Sequence, residues 1–140
     1  MIWDDEKIKT KLAYIYEDCA KLNELLQIGL ENYRADKFKS LAARYLLQTG
    51  IEAAVDVVNH FVAKNKLGRP ATHREAFELL FSEGIISSDV SGRLIMLIKL
   101  RNRIVHIYED IDDELIFKYI ADAAKDLKDF ADEINVVIFR

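Results

Sequence analysis

The sequence contains few of the residues that interrupt or cross-link a chain. Of its 140 residues, one is proline, five are glycine and one is cysteine, whereas 51% are hydrophobic. This composition argues against a loop-rich or disordered chain and favours a compact helical protein. The single cysteine, Cys19, cannot form an intrachain disulfide, so nothing points to an oxidising compartment.

Long hydrophobic runs are also missing. No apolar stretch approaches the roughly 20 residues that a membrane-spanning helix requires. The chain turns acidic at Asp4, Asp5 and Glu6, without the basic region and apolar stretch of a secretory signal. We therefore expect a cytoplasmic protein that does not enter a membrane.

An excess of positive charge is the third absence. Twenty Lys and Arg residues against 24 Asp and Glu residues give a formal net charge of −4, which argues against broad electrostatic binding to nucleic acid. The stretch between Asp89 and Glu109, however, has no acidic residue at all. It carries a local basic strip, which we expect to bind RNA selectively: Arg93, Lys99, Arg101, Arg103 and His106.

Apolar residues recur every three or four positions, which predicts an all-α, up-and-down bundle of four to five helices. The first helix is expected from about Asp4 to Tyr33. After a short polar connection at 34–37, a second long helix should run to about Lys64. Two long helices joined by a short turn pack antiparallel.

Glycine, proline and capping residues mark the next boundaries. The Gly-Arg-Pro sequence at 68–70 predicts a loop, and Thr72 and Glu75 have the spacing of a capping box that opens a short helix. Gly84 can close that helix.

A fourth helix should start at one of the N-cap candidates in 87–89, and its apolar residues on several sides predict deep burial or a subunit interface. Asp110 or Asp112 can cap a last helix, after which 136–139 is expected to pack as a terminal turn. No strand pattern of any length is present, and we treat 1–140 as one domain.

An arginine, a histidine and a tyrosine lie together at the expected end of the fourth helix. The imidazole of His106, with an ordinary pKa of about 6.5, can take or give a proton at neutral pH. The forked donors of Arg101 suit a phosphate and the extra charge of a pentavalent transition state. Because the three histidines are far apart in sequence, no metal and no cofactor are expected.

Helix geometry leaves two arrangements of this site open. On an ideal helix Arg101 and Tyr108 nearly eclipse one another, whereas Arg101 and His106 diverge by roughly 140°. Either the helix loosens around Val105, so that His106 can approach Arg101, or a second copy of the protein completes the pair.

The string Arg101-Asn102-x-x-x-His106-x-Tyr108 resembles the signature of HEPN-domain ribonucleases, and most closely the HepT toxins paired with a minimal nucleotidyltransferase antitoxin. The likeness covers nearly the whole chain. It implies a HEPN-like helical fold and a metal-independent endoribonuclease, in which the 2′-hydroxyl of the RNA attacks the adjacent phosphorus and leaves a 2′,3′-cyclic phosphate. It also implies a homodimer whose two motifs face one shared cleft.

The resemblance assigns roles to single residues. It implies that Arg101 binds the scissile phosphate, that His106 transfers protons, and that the nucleotidyltransferase partner neutralises the toxin by adding AMP to Tyr108. Asn102 either orients the phosphate or imidazole or lies on the surface. Arg103 and Lys99 are supporting residues, which we expect to contact the RNA backbone or to be solvated charges. Arg103 should lie on another side of the helix from Arg101.

Each of these residues also has a purely structural interpretation. His106 could satisfy a carbonyl at a helix end, Tyr108 could be packed in the core, and Arg101 could pair with Glu109 or Asp110. The complete motif favours the active site. The alternative function is a non-catalytic helical subunit that positions a nucleotide or RNA for the transferase, and such a protein should tolerate His106→Ala.

One further polar set recurs every fourth residue along the second long helix. It is expected to be a solvated face stabilised by side-chain pairs, and the alternative is that it lines the cleft or the antitoxin interface. Its members are Arg44, Gln48, Glu52 and Asp56.

Overall fold

The computed structural model describes residues 1–105 and 112–140, and all the regular structure in this part of the chain is helical. The all-α prediction is confirmed, with six helices in the described ranges where four to five were expected. These are α1 (Asp5–Gln27), α2 (Leu30–Ala35), α3 (Lys37–Lys64), α4 (His73–Ser82), α5 (Ser88–Val105) and α6 (Asp113–Ile138).

The additional helix comes from a break that the sequence pattern did not predict. The expected first helix to Tyr33 is wrong because Gly29 adopts φ +83°, a conformation that favours glycine and separates the end of α1 from the start of α2. Tyr33 on α2 is thereby fully buried, with its ring centroid 5.0 Å from that of Phe117. The expected connection at 34–37 shrinks to Asp36, whose carboxylate caps α3.

Helices α1 and α3 pack antiparallel, as predicted. Near one end the backbone N–H of Asp4 donates to Nε2 of His60 at 2.8 Å, and near the other the hydroxyl of Thr49 donates to Asp18 at 2.7 Å. Residues later in α1 therefore contact residues earlier in α3. This is the geometry of an up-and-down helix pair.

Helix α6 packs against the same two helices. Tyr16 donates to Asp132 at 2.6 Å and the Cys19 thiol to the Ala124 carbonyl at 3.4 Å, so α6 runs antiparallel to α1. Every helix contributes a fully buried large side chain to one core: Ile8, Tyr33, Phe61, Phe77, Leu94 and Phe130. Burying such side chains, at roughly 1.5–3 kcal/mol each, is the main force that holds the bundle together.

The caps predicted for the later helices are confirmed wherever the structure describes them. Thr72 accepts from the N–H of Glu75 at 3.1 Å, and Glu75 accepts in return from the N–H of Ala71 at 2.7 Å. Gly84 closes α4 with φ +72°. Ser87 caps α5 through the N–H of Val90.

Asp112 caps α6 through the N–H of Glu114 at 3.0 Å, whereas the other candidate, Asp110, lies outside the described residues. At the far end the expectation of a terminal turn is wrong, because α6 continues through Ile138. Val137 and Ile138 are buried while Val136 is exposed. The apolar tetrapeptide therefore extends the amphipathic pattern of α6.

The deep burial predicted for the apolar residues of α5 is confirmed for Leu94, Leu97, Ile98 and Leu100. Met96, however, is 61% exposed, and Gly92 is exposed as well. The helix thus presents an open face within this chain. No helix among the described residues is both long and apolar enough to cross a membrane.

Arg93 fastens α5 to α6. Its guanidinium contacts Asp89 on its own helix at 2.8 Å, and Asp126 and Asp129 on α6 at 2.6 and 2.9 Å. These hydrogen bonds, the one to Asp126 foremost, raise the pKa of Arg93 above its ordinary value. Because three carboxylates surround it, Arg93 serves the fold, and its expected place in the basic strip is wrong.

We predict that Arg93→Met lowers the free energy of unfolding by about 1–2 kcal/mol, since the guanidinium is partly shielded and its loss leaves three carboxylates repelling one another. The matched control is Arg74→Met. Arg74 pairs only with Glu78 on its own helix and its side chain is 64% exposed, so its loss should cost less than about 0.5 kcal/mol. Urea unfolding at low and high salt measures both, and equal effects would contradict an inter-helix role for Arg93.

Candidate active site

The described part of the motif lies in the last turn of α5. Arg101, Asn102 and Arg103 are helical, and Lys99 lies just before them. The predictions for His106 and Tyr108, and the alternative pairing of Arg101 with Glu109 or Asp110, fall on residues outside the described ranges. Those predictions are not tested by the structure.

Arg101 continues the buried stripe of α5 into its last turn. It follows Leu94 by seven residues and Leu97 by four, so all three share one face of the helix. Arg101 is half-buried, and its Nε atom is buried without a hydrogen-bond partner among the described residues. Its Nη2 atom lies 3.4 Å from Oδ1 of Asn102, a contact at the long limit for a hydrogen bond. Leaving a buried charged donor without an acceptor is energetically costly, and none of the described residues supplies an acceptor to this Nε atom.

Asn102 and Lys99 face an open cleft of about 470 Å³, which we call the α4–α5 cleft. The opposite wall is the segment that enters α4, with Asn59 of α3 at its side. The lining residues of this cleft are Asn59, Pro70, Ala71, Thr72, His73, Arg74, Ile95, Ile98, Lys99 and Asn102. Amide, imidazole and cationic groups over an apolar floor suit an anionic ligand that carries flat rings.

Arg103 lies on another side of α5, as expected. With Lys99 it lines a second cleft, of about 440 Å³, between α5 and α6. Tyr119, Asp122 and Asp126 lie on its α6 wall, so carboxylates accompany the cations there. Arg93 lines this cleft together with Lys99 and Arg103, whereas Arg101 lies on the buried stripe of α5. The described members of the predicted basic strip therefore do not all share one surface.

The segment 106–111 joins α5 to α6, and the start of α6 is tied to α3. Oδ1 of Asp113 accepts from the Ser40 hydroxyl at 2.6 Å and from Nη2 of Arg44 at 3.1 Å. The hydrogen bond from Ser40, and then those from Arg44, lower the pKa of Asp113. This cluster fixes the start of α6 against α3.

The expected polar face of α3 is largely a set of paired side chains. Gln48 donates to Glu52 at 3.2 Å, and Asp56 pairs with Lys11 of α1 at 2.8 Å. Arg44 differs from these, since it contacts α6 through Asp113. The interpretation as a pair-stabilised face fits Gln48, Glu52 and Asp56, whereas Arg44 belongs to the cluster that anchors α6.

Four polar residues of the α4–α5 cleft were not predicted as site residues from the sequence: Asn59, Thr72, His73 and Arg74. His73 and Arg74 were visible only as part of a capping box, and Asn59 only as a polar position in an apolar helix. No spacing relates them to Arg101, because the packing of α3, α4 and α5 brings them together. Within the described ranges no group of His, Cys, Asp and Glu side chains is arranged to hold a metal ion, and the expectation of no metal stays a prediction.

Comparison with known sequences identifies a family and two close relatives. The family model described as Ribonuclease HepT-like matches residues 15–134. A tRNA nuclease HepT from Aphanizomenon flos-aquae is 31% identical over 128 residues, which cover 91% of this chain and 87% of that protein. An mRNA nuclease HepT from Shewanella oneidensis is 31% identical over 89 residues, 64% of this chain and 67% of that protein.

Solved structures share the fold. A tri-AMPylated HEPN toxin from Shewanella oneidensis, in complex with MNT antitoxin, superposes with a TM-score of 0.83 at 25% identity, covering 93% of this chain and 97% of that one. A toxin–antitoxin structure with AMP-PNP gives a TM-score of 0.84 at 24% identity, covering 94% and 98%. At the latter identity the likeness concerns the fold alone.

We predict that Ser40→Ala raises the pKa of Asp113 towards its ordinary value of 3.8, because Ser40 supplies the largest of the effects that lower it. A group whose pKa is lowered in the folded state stabilises the fold above its unfolded pKa and loses that contribution as pH falls through the folded pKa. Ser40→Ala should thus reduce stability at neutral pH, and the difference from the wild type should narrow below about pH 4. Carboxyl NMR titration and urea unfolding measure the two effects.

The control for this prediction is Ser82→Ala, which removes a hydroxyl that donates only to a carbonyl of its own helix, that of Glu78. It should leave the Asp113 titration unchanged. An unchanged Asp113 titration in Ser40→Ala would show that Ser40 does not anchor α6.

Proposed function

The chain belongs to the HepT-like ribonuclease family, and we propose that it cuts RNA without a metal, using Arg101 and His106, and that AMP addition to Tyr108 neutralises it. It is an endoribonuclease, the toxin of a toxin–antitoxin pair. The proposed antitoxin is a minimal nucleotidyltransferase, in line with the MNT antitoxin bound to the Shewanella toxin of the same fold.

The observation that best supports the proposed chemistry is the state of Arg101. Its Nε atom is buried and has no acceptor among the described residues, at the end of the helix that leads to His106. An unsatisfied buried donor in a native fold calls for an explanation such as a ligand or a catalytic role. A phosphate oxygen of the RNA would supply the acceptor in a charge-assisted hydrogen bond.

The proposed reaction is a transfer of the phosphoryl group within the RNA. The 2′-oxygen attacks the adjacent phosphorus while its proton passes to an imidazole. The bond from phosphorus to the 5′-oxygen breaks, and that oxygen receives a proton from an imidazolium. The products are a 2′,3′-cyclic phosphate and a free 5′-hydroxyl, and Arg101 stabilises the negative charge of the pentavalent transition state.

This scheme needs a base on one side of the phosphorus and an acid on the other. A single imidazole cannot be neutral base and protonated acid in the same step, and His106 is the one histidine of the motif. We therefore propose a homodimer in which the two copies of His106 flank one shared cleft. The cleavage rate should then depend on pH with a bell shape, since one copy must be neutral and the other protonated.

The proposed neutralisation uses the partner's chemistry. The Tyr108 oxygen attacks the α-phosphorus of ATP in the transferase site, pyrophosphate leaves, and the phenol proton passes to a base or to water. The bound AMP places a bulky anion beside Arg101 and His106. It would compete with RNA for the same cations and block the cleft sterically.

We predict that Arg101→Gln lowers the rate of RNA cleavage by about 10²–10³-fold, the cost of losing one preorganised donor to the transition state. His106→Ala should lower it by about 10²–10⁴-fold, because proton transfer is lost. The assay is incubation with total RNA in EDTA, with intact mass showing that the protein carries no adduct.

The matched control for the arginine is Arg69→Gln, since Arg69 is exposed and lines none of the described clefts. It should cut at the wild-type rate. If unmodified, folded wild-type protein leaves RNA intact, the nuclease proposal is wrong and the binding-subunit alternative replaces it.

We predict further that the nucleotidyltransferase with ATP increases the mass of the wild-type toxin by multiples of AMP and abolishes its cleavage. Tyr108→Phe should gain no mass, because the phenol oxygen is the proposed acceptor. Tyr45→Phe is the control, since Tyr45 is 67% exposed and is a readily accessible tyrosine elsewhere on the chain. Loss of the mass gain in Tyr45→Phe but not in Tyr108→Phe would move the modification away from the active site.

A further inference from the structure

A third cleft, of about 500 Å³, lies between the start of α1 and the end of α3. We call it the lysine cleft, because three of its seven lining residues are lysines. Its lining residues are Lys7, Lys11, Asp56, Asn59, His60, Ala63 and Lys64. Neither the family motif nor the proposed reaction accounts for it.

The lysine cleft adjoins the α4–α5 cleft. Asn59 of α3 lines both, and beyond it the α4–α5 cleft continues with Arg74 and Lys99 to Asn102. Asn102 in turn contacts the guanidinium of Arg101. A path lined by cations and amides therefore runs across α3 from the start of α1 to the candidate active site.

Most of the positive charge along this path is not neutralised. Lys11 pairs with Asp56, and Arg74 pairs with Glu78. No ion pair links Lys7, Lys64 or Lys99 to another described residue. Among the residues that the structure describes, Asp56 is the one carboxylate that lines either cleft. In an acidic protein, such a path is where a polyanion is attracted instead of repelled.

The excess of positive charge in the lysine cleft also affects His60, one of its lining residues. Its Nε2 atom accepts the N–H of Asp4 at 2.8 Å, which requires a neutral ring at that nitrogen. Burial, followed by the charges of Lys7 and Lys64, lowers the pKa of His60, and the nearby Asp4 offsets this only in part. The positive charges of Lys7 and Lys64 therefore both act on the imidazole of His60.

We propose that the lysine cleft and the α4–α5 cleft form one track for the phosphate backbone of the RNA substrate, on the side of the cleaved bond that leads away from Arg101. This inference rests on the proposed ribonuclease function and assigns the wider substrate-binding surface. Lysines spread over three helices and two open clefts suit several successive phosphates better than one compact nucleotide. Such contacts position RNA and add affinity without reading its bases.

The test uses Lys7→Gln/Lys64→Gln, combined with His106→Ala so that the RNA stays intact, and measures binding of fluorescent poly(U). Both lysines are exposed, so the fold should tolerate the change. Each lost contact to single-stranded RNA reduces the slope of log K against log salt by about 0.7. We expect the slope to fall by about 1.4 and the affinity to fall by about 10–30-fold near 0.1 M salt.

The matched control is Lys37→Gln/Lys118→Gln, which removes the same charge from two exposed lysines outside all the described clefts. It should leave the affinity within about twofold, since charges farther away than a Debye length are screened. In the background with His106 intact, the ratio of kcat/KM for poly(U) to that for a trinucleotide should fall in the cleft variant and not in the control.

The outcomes separate the two proposals. If the wild type cuts RNA but the cleft variant and the control behave alike, the track is wrong and the proposed function stands. If the wild type binds RNA through these lysines without cutting it, the track stands and the proposed reaction fails. If the cleft variant binds RNA normally but no longer assembles with the nucleotidyltransferase, the clefts are a protein interface and the track is wrong.

Discussion

The rotation of α5 about its axis places every described residue of the candidate active site. Leu94, Leu97 and Leu100 are buried, and their contact with the core holds the helix in one orientation. Lys99, Asn102 and Arg103 must then face outwards, while Arg101 lies at the end of the buried stripe. A rotation that improved the exposure of Arg101 would expose leucines, at about 25 cal/mol for each Å² of apolar surface. The Nε of Arg101, which has no acceptor among the described residues, is thus held in place by the packing of the helix that carries it.

Several acidic side chains of this protein hold helices together. Asp126 and Asp129 contact Arg93, Asp132 accepts from Tyr16, and Asp113 accepts from Ser40 and Arg44. Because these carboxylates contact side chains of neighbouring helices, most lysines of the lysine cleft and the α4–α5 cleft have no carboxylate partner among the described residues. A chain with a net charge of −4 can therefore present local positive surfaces. Binding there would depend strongly on salt, since exposed charges are screened.

Much of the fold could be read from local patterns. The caps at Thr72, Ser87 and Asp112 and the closing glycine at 84 depend on neighbouring residues alone, so their spacing in the sequence was sufficient. The break at Gly29 was not readable in this way, because the apolar period continues across it. The same holds for Arg93, which has the sequence context of a strip residue until α6 brings Asp126 and Asp129 to it.

From the order of its residues alone, the chain specifies its helices, most of their ends, and the family motif from Arg101 to Tyr108. The helices and their ends depend on interactions between residues a few positions apart, and the motif is a sequence pattern that can be matched directly. The clefts form only when the chain folds, because the packing of separate helices makes Asn59, Arg74 and Lys99 neighbours. Folding also sets the surroundings of each charged side chain. It also decides which cations are neutralised: Arg93 meets carboxylates from a distant helix, whereas Lys7 and Lys64 lie beside His60. The spacing of Asp89 and Arg93 shows only their pairing within one helix. The contacts of Arg93 with Asp126 and Asp129 join separate helices, so no spacing in the sequence could have shown them.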